Sequence, residues 1–389
     1  MALRCFGIFT AVLVAIGGAY YQLSLKSTLE KAGLWRQITN IGAENCRQVK
    51  GLEACEKIVL HQPSGILYLA CSSIENRVNW TPALDHLNAS AVLPDKDHIA
   101  AYDPSSNKIT HMKIKGMADT RLSVHGMDVV PSSKSPAELW FYVVNHRVPR
   151  DGKDPVEVGA DSVVEIFKGG VGGSVLEWVK TIESEHLHTP NDVAGDPDGQ
   201  AFYFTNDNYA KRGWKRQLQI PLGLQQTSVG YCHVDEGCRI VAPKLPAANG
   251  ITRAHDGTYY VASVLAKVIA LERQTDNSMI LGDIIEADRG LDNIQVAENG
   301  DIYAAGFPDG FTIQSYFVDP FGVVCPSSAV RISKNTDRSS FFGEKYKLEV
   351  IFQDNGTFTP PATSAVYDSR RERLFLHGIL STHLTVCEA

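Results

Sequence analysis

Ala248-Asn249-Gly250-Ile251-Thr252-Arg253-Ala254-His255-Asp256-Gly257-Thr258-Tyr259-Tyr260-Val261 holds the unit whose recurrence decides the fold. An Asp-Gly turn introduces a β-prone aromatic run, and a side-chain amide lies ten residues ahead of that run. Turn and run recur as Pro63-Ser64-Gly65 before Ile66-Leu67-Tyr68-Leu69, as Asp198-Gly199 before Ala201-Phe202-Tyr203-Phe204, and as Asn299-Gly300 before Ile302-Tyr303. Leu139-Trp140-Phe141-Tyr142-Val143 and Leu374-Phe375-Leu376 complete a set of six, the latter after the polar turn Ser369-Arg370-Arg371-Glu372. The intervals are uneven, from 43 to 73 residues, as expected of large four-stranded units with loops of different length. Six such sheets closed into a ring leave no long exposed edge. The expected fold is therefore all-β, a six-bladed β-propeller.

The amide ten residues upstream also recurs. The same count back gives Glu56 from Ile66, Asn191 from Ala201, Asp292 from Ile302 and Ser364 from Leu374. From Leu139 it lands on Val129, but the loop from Pro131 to Pro136 is long, and four further steps reach His125. If each run is the second strand of a blade, these residues sit near the start of the innermost strand and face one axis. Glu56, Asn191, Asn249, Asp292 and its neighbour Asn293 offer only oxygen donors. Such a set suits Ca2+, which takes about 6–8 oxygens, and not structural zinc, which prefers sulfur and nitrogen. Taken singly, each of these Asn and Asp residues is an ordinary turn marker; their shared register is what argues for a metal.

The chain has 389 residues, a net charge of −7 and a pI near 6.0, which argues against a basic nucleic-acid surface. Arg4 precedes an apolar run from Cys5 to Tyr21, and Lys26 follows it. Residues 1–25 therefore read as a signal peptide or signal anchor, a hydrophobic helix that would meet the membrane if retained. Residues 26–44 form a helical segment, best around Ser27 to Thr39, and residues 45–389 form the propeller. With the positive charge in the cytosol, the remainder enters the secretory pathway, secreted or anchored facing the lumen or exterior. Sequons at Asn79, Asn88 and Asn355 agree with that side of the membrane. Of eight cysteines, Cys46 and Cys387 bracket nearly the whole chain after the apolar run and suggest a clasp between its ends. Cys232 and Cys238 are placed to close a small loop and Cys55 and Cys71 to pair across strands, which leaves Cys325 over; composition alone does not settle these pairings.

The chain resembles the paraoxonase/arylesterase family, calcium-dependent six-bladed propeller hydrolases, from about Asn45 to Cys387. The resemblance is carried by Asn45-Cys46 with Val49-Lys50-Gly51-Leu52-Glu53, His125-Gly126, Val143-Val144-Asn145-His146 and Pro190-Asn191-Asp192. It continues through Thr205-Asn206-Asp207, Ala248-Asn249-Gly250-Ile251, Leu291-Asp292-Asn293-Ile294 and Cys387-Glu388. It implies that Glu56, Asn191, Asn249, Asp292 and Asn293 hold a catalytic calcium, and that His125 and His146 activate water. It implies an end-to-end disulfide between Cys46 and Cys387, and it makes Asp192 a ligand of a second, structural calcium. Two residues depart from the pattern: Lys57 stands where that second metal usually finds an Asp, and Asn208 where a His is common.

The expected activity is hydrolysis of a small ester or lactone, with the carbonyl polarised by calcium and a proton taken by His125. Two other readings stand beside it. One is a related propeller enzyme that performs a biosynthetic condensation or isomerisation. The other is a calcium-stabilised binding propeller without turnover. A serine nucleophile has no support, because there is no G-x-S-x-G elbow. Gly169 to Gly173 lacks the Lys-Ser/Thr of a phosphate loop, and His186 and His188 lack a third zinc ligand in sequence.

Overall fold

A computed structural model describes residues 18–19 and 21–388. Six sheets of four or five strands follow one another along the described chain, beside one two-stranded ribbon at Trp80–Thr81 and His86–Leu87. The first blade comprises Lys57–His61, Ile66–Cys71, His98–Asp103 and Lys108–His111. The second comprises Val124–Ser132, Ser135–Arg147, Asp161–Gly170 and Val175–Ile182, with Lys113–Lys115 added in parallel on its outer edge. Blades three to five begin at Pro190–Gly195, Ala248–Arg253 and Gly290–Val296, each with three further antiparallel strands. The sixth takes Ser364–Asp368, Arg373–His377 and Leu384–Glu388 from the C-terminus and its outermost strand, Cys46–Val49, from the N-terminal side. The ring is thus closed by backbone pairing between the two ends of the propeller.

Apolar side chains lie between blades, not inside any one of them. Ala194, Tyr203 and Val229 of the third blade pack with Ile251, Tyr259 and Ile269 of the fourth. Equivalent clusters join each other consecutive pair, including the sixth and first through Phe375, Val386, Leu60 and Leu69. The second strands are the most buried because both faces meet a neighbour; every residue of Ala201–Asn206 is buried. That explains why their runs are apolar throughout and do not alternate.

Among the described residues the cysteines pair as three disulfides, Cys46–Cys387, Cys55–Cys71 and Cys232–Cys238, with Cys325 free and buried. Cys46 and Cys387 stand directly opposite each other in the closing strands. Three disulfides are the chemistry of an oxidising compartment and are consistent with the secretory pathway.

The apolar run from Cys5 lies almost entirely outside the described residues, and among those residues no helix is long and apolar enough to cross a membrane. The helix expected over Ser27–Thr39 is shorter, Lys26–Lys31 after a π turn at Tyr21–Leu25. It stops because the chain must turn onto the loop after the second strand of blade five. Gly33 takes φ +94°, a Cβ there would lie 2.3 Å from the Pro308 carbonyl oxygen, and Gly310 N–H donates to Ala32.

One buried histidine gives the fold a pH signature. His377 accepts from Gly378 N–H at 2.8 Å and donates to the Leu52 carbonyl at 3.3 Å, and burial pushes its pKa down to about 4. The folded protein therefore keeps it neutral where the unfolded chain, at 6.5, would protonate it. Stability is lost as pH falls from 6.5 towards 4, by ~3 kcal/mol from this group. Denaturant unfolding at both pH values should show that loss in the unmodified protein and a smaller one in His377→Leu.

Candidate metal centre

The polar residues found by counting back do begin the innermost strands. Asn191 and Asn249 are second in Pro190–Gly195 and Ala248–Arg253, His125 is second in Val124–Ser132, Asp292 is third in Gly290–Val296, and Glu56 precedes Lys57–His61. Two glycines allow these strand starts to meet. A Cβ on Gly126 would lie 2.2 Å from the Asn191 carbonyl oxygen, and one on Gly250 would lie 2.7 Å from Asn293 Cα. His125-Gly126 and Asn249-Gly250 are therefore requirements of close approach between blades.

Glu56, Asn191, Asp292 and Asn293 are buried and Asn249 half-buried. Side-chain oxygens of three of them, Asn191 Oδ1, Asn249 Oδ1 and Asp292 Oδ1, have no hydrogen-bond partner among the described residues. Buried acceptors are rarely left so. Glu56 Oε1 accepts from Asn293 Nδ2 at 3.0 Å and Oε2 from Thr363 at 2.6 Å. Burial pushes Glu56 up to about 7, and burial with repulsion from Glu56 pushes Asp292 well above the usual carboxylate range. Two repelling carboxylates and three orphaned oxygens fit a hard cation held by oxygen. Among the described residues, no three or more His, Cys, Asp or Glu side chains are grouped to hold a metal. Amide oxygens would thus have to complete any cation's shell.

His125 lies at the ring. Its Nε2 is 3.2 Å from Asn191 Nδ2 and 4.0 Å from Glu56 Oε1. The His125 and His146 ring centroids are 5.2 Å apart, and His146 Nδ1 is 2.8 Å from Ser162 Oγ. Burial lowers both, His125 well below its ordinary value and His146 to about 3, so each imidazole is neutral near pH 7. His125 Nδ1 and His146 Nε2 have no partner among the described residues. The 2.8 Å contact from Trp80 Nε1 to the His146 carbonyl holds that strand.

Deeper in the axis, Lys57 Nζ is 2.5 Å from Asp192 Oδ2 and 3.1 Å from Asn293 Oδ1. Both charged side chains are buried, and Asp192 also accepts from Ile251 N–H at 2.9 Å. An ammonium already fills the position where the family resemblance implied a structural calcium, so the residues present do not fit a second metal. Asp128 is close by and burial pushes it up to about 6.

Other residues at the site carry no repeat signal. The sixth ring position contributes Thr363, not the Ser364 given by counting, whose hydroxyl instead accepts from Ile58 N–H. Arg77 and Arg216 come from insertions. Arg216, in the helix Gly213–Leu218, donates to the Ala83 carbonyl at 2.7 Å and to Asp207 at 2.6 Å, which pins the loop after Asn206 beside His146. Asn208 shapes that loop by donating to the Arg216 carbonyl at 3.1 Å. A hollow of about 580 Å³ is lined by Asp85, Leu87, Asp154, Val156 and Arg212 and contains no ring residue.

Fold and site together define a six-bladed propeller with a buried polar ring at one end of its axis. The Arylesterase family profile matches residues 37–388, and the chain belongs to that family: it is a hydrolase acting on ester bonds, of the arylesterase or lactonase type. It is 27% identical to serum paraoxonase/arylesterase 1 of Rattus norvegicus, over 92% of this chain and 94% of that protein. It is 26% identical to serum paraoxonase/arylesterase 2 of Homo sapiens, over 94% of both. The major Malassezia sympodialis allergen Mala s 1 shares the fold at a TM-score of 0.51 and 11% identity, covering 88% of this chain and 95% of that one.

Proposed function

We propose that the protein hydrolyses lactones or aryl esters in a calcium-dependent reaction, with His125 as the general base and His146 in support. The observation that carries this reading is the set of buried oxygens of Asn191, Asn249 and Asp292 beside Glu56 that have no hydrogen-bond partner among the described residues. Glu56, Asn191, Asn249 and Asp292 would hold the ion, joined by Asn293 once its amide oxygen turns away from Lys57. A bound calcium supplies Lewis-acid polarisation of the ester carbonyl and stabilises the charge that develops on its oxygen. His125 is held neutral by burial, so it can take a proton from water; His146 is oriented by Ser162 and stands next to it. Dryness around the two rings strengthens every polar contact to the reacting carbonyl. Glycans are proposed at the three sequons, Asn79, Asn88 and Asn355, although Asn88 Nδ2 donates to Asn79 Oδ1 at 3.1 Å, so the first two compete for one place.

The test is a panel of lactones and aryl esters assayed with calcium, with chelator, and with calcium restored. Hydrolysis should vanish with chelator and return with calcium; hydrolysis indifferent to chelation would remove the metal from the reaction. His125→Gln should bind calcium as the unmodified protein does and lose ~10²-fold or more in kcat. Equal rates in the folded variant would transfer the base to another group.

A further inference from the structure

The insertion between Ser72 and Asp97 lies outside the propeller repeat, yet it carries one of the largest fully buried side chains of the protein, Arg77. Arg77 sits in the short helix Ile74–Asn79, whose N-terminus is capped by Ser73 and tied by Ile74 N–H to Glu53. Its Nη1 donates to the Val124 carbonyl at 2.6 Å, and its Nη2 to the Ala54 carbonyl at 3.4 Å. Val124 immediately precedes His125, and Ala54 lies two residues before Glu56. One guanidinium therefore bridges the backbone leading into the inner strand of blade one and the backbone leading into that of blade two.

The other end of the insertion completes the grip. Asp97 Oδ1 accepts from Val124 N–H at 3.0 Å, so the same residue is held on its N–H by Asp97 and on its C=O by Arg77. Asp97 is itself held by Ser72 at 2.8 Å and Asn76 at 3.3 Å, and stands 4.0 Å from Arg77 Nη1. Residue 55, between the held carbonyl and Glu56, is fastened by the Cys55–Cys71 disulfide to the strand from which the insertion departs.

We propose that Arg77, with Asp97, is a positioning residue for the hydrolytic site: it brackets the carbonyls of Ala54 and Val124 and so sets the gap between Glu56 and His125. Fold stability alone is a poor reason for this arrangement. A buried ion pair is commonly matched or bettered by apolar residues of similar volume, and the Arg77 Nε has no partner among the described residues. What apolar residues cannot do is hold two carbonyls from different blades at once. Lysine does so poorly, because its three donors radiate from one point on a shorter side chain, without the planar fork that reaches both carbonyls. Displacement of a catalytic group by about 1 Å is enough to cost ~10²-fold in rate.

This inference rests on Glu56 as a calcium ligand and His125 as the base. Arg77→Lys in the full chain tests it, because the buried charge beside Asp97 is kept and the planar fork that spans the two carbonyls is lost. Two quantities are measured: kcat and KM for phenyl acetate hydrolysis in saturating calcium, and the calcium dissociation constant by titration against a chelating dye. The variant should fold, with kcat lower by ~30-fold or more, KM within about twofold, and calcium bound at least about fivefold more weakly. A folded variant with kcat and calcium affinity within about threefold of the unmodified protein overturns the proposal. So does a variant that cannot fold, which assigns Arg77 to the scaffold. If the unmodified protein hydrolyses no ester of the panel, the hydrolytic reading fails on its own, and the calcium titration alone decides whether Arg77 positions Glu56.

Discussion

Asp292→Ala is expected to lower ester hydrolysis by ~10³-fold or more and, unlike most losses of a buried polar group, to raise the melting temperature of the metal-free protein. The two effects have one cause. Asp292 and Glu56 are buried carboxylates that repel each other, and Asp292 is pushed well above the usual carboxylate range by burial first and by Glu56 second. Without a cation, ionising Asp292 in the folded state is unfavourable relative to the unfolded chain, so removing it stabilises the fold near pH 7. With calcium the sign reverses. Binding to the native state alone stabilises by mass action, about 2.7 kcal/mol at a hundredfold excess over Kd, and the variant forfeits that gain. Melting curves in chelator and in millimolar calcium should therefore cross: the variant higher without metal, the unmodified protein higher with it. A variant that melts lower in both conditions would show Asp292 to be a structural residue and not a cation ligand.

How much of this was legible in the sequence follows from where each residue sits in the repeat. Asn191, Asn249 and Asp292 were found because every blade presents the same strand start to the axis, so a fixed offset from an apolar run reaches the same place. The offset failed by one at the sixth blade, where Thr363 and not Ser364 meets Glu56. Ser364 instead fastens neighbouring inner strands through Ile58 N–H, a role a hydroxyl at that position fills equally well. Arg77 and Arg216 were invisible because insertions have no register to count from, and a lone arginine in a loop reads as a solvated charge. The disulfides were readable as candidates, but their pairing was decided by register. Cys232 and Cys238 face each other across a hairpin, and Cys46 meets Cys387 only because the N-terminal strand closes the last blade. The helix expected around Ser27 stops short of Thr39 because Gly33 docks on the Pro308 carbonyl, a tertiary contact with no local signature in the sequence.

Lys57 offers the second large effect. Its ammonium and the Asp192 carboxylate are 2.5 Å apart with both side chains buried, so neither has water to fall back on. Lys57→Met leaves the buried carboxylate without its cation, and the expected loss is ~3–5 kcal/mol of stability, far more than the lost packing of one methylene chain. The unmodified protein should bind one calcium per chain. A divalent ion ~4 Å from the ammonium would be disfavoured by ~8 kcal/mol at an effective dielectric constant of ~20, which no single remaining oxygen offsets. Lys57→Asp changes the balance. It places a second carboxylate beside Asp192, and the pair, repelling in the absence of metal, becomes an oxygen-donor site that only a cation can relieve. That variant should be less stable than the unmodified protein in chelator, recover with calcium, and titrate with two binding events instead of one. Lys57→Met has the vacancy but not the donor, so calcium should restore it far less. Metal analysis of the purified proteins and unfolding curves across a calcium series read all three cases. Two tightly bound calcium ions in the unmodified chain, or an unchanged melting temperature in Lys57→Met, would mean that the ammonium is a bystander to Asp192 and not its counter-ion.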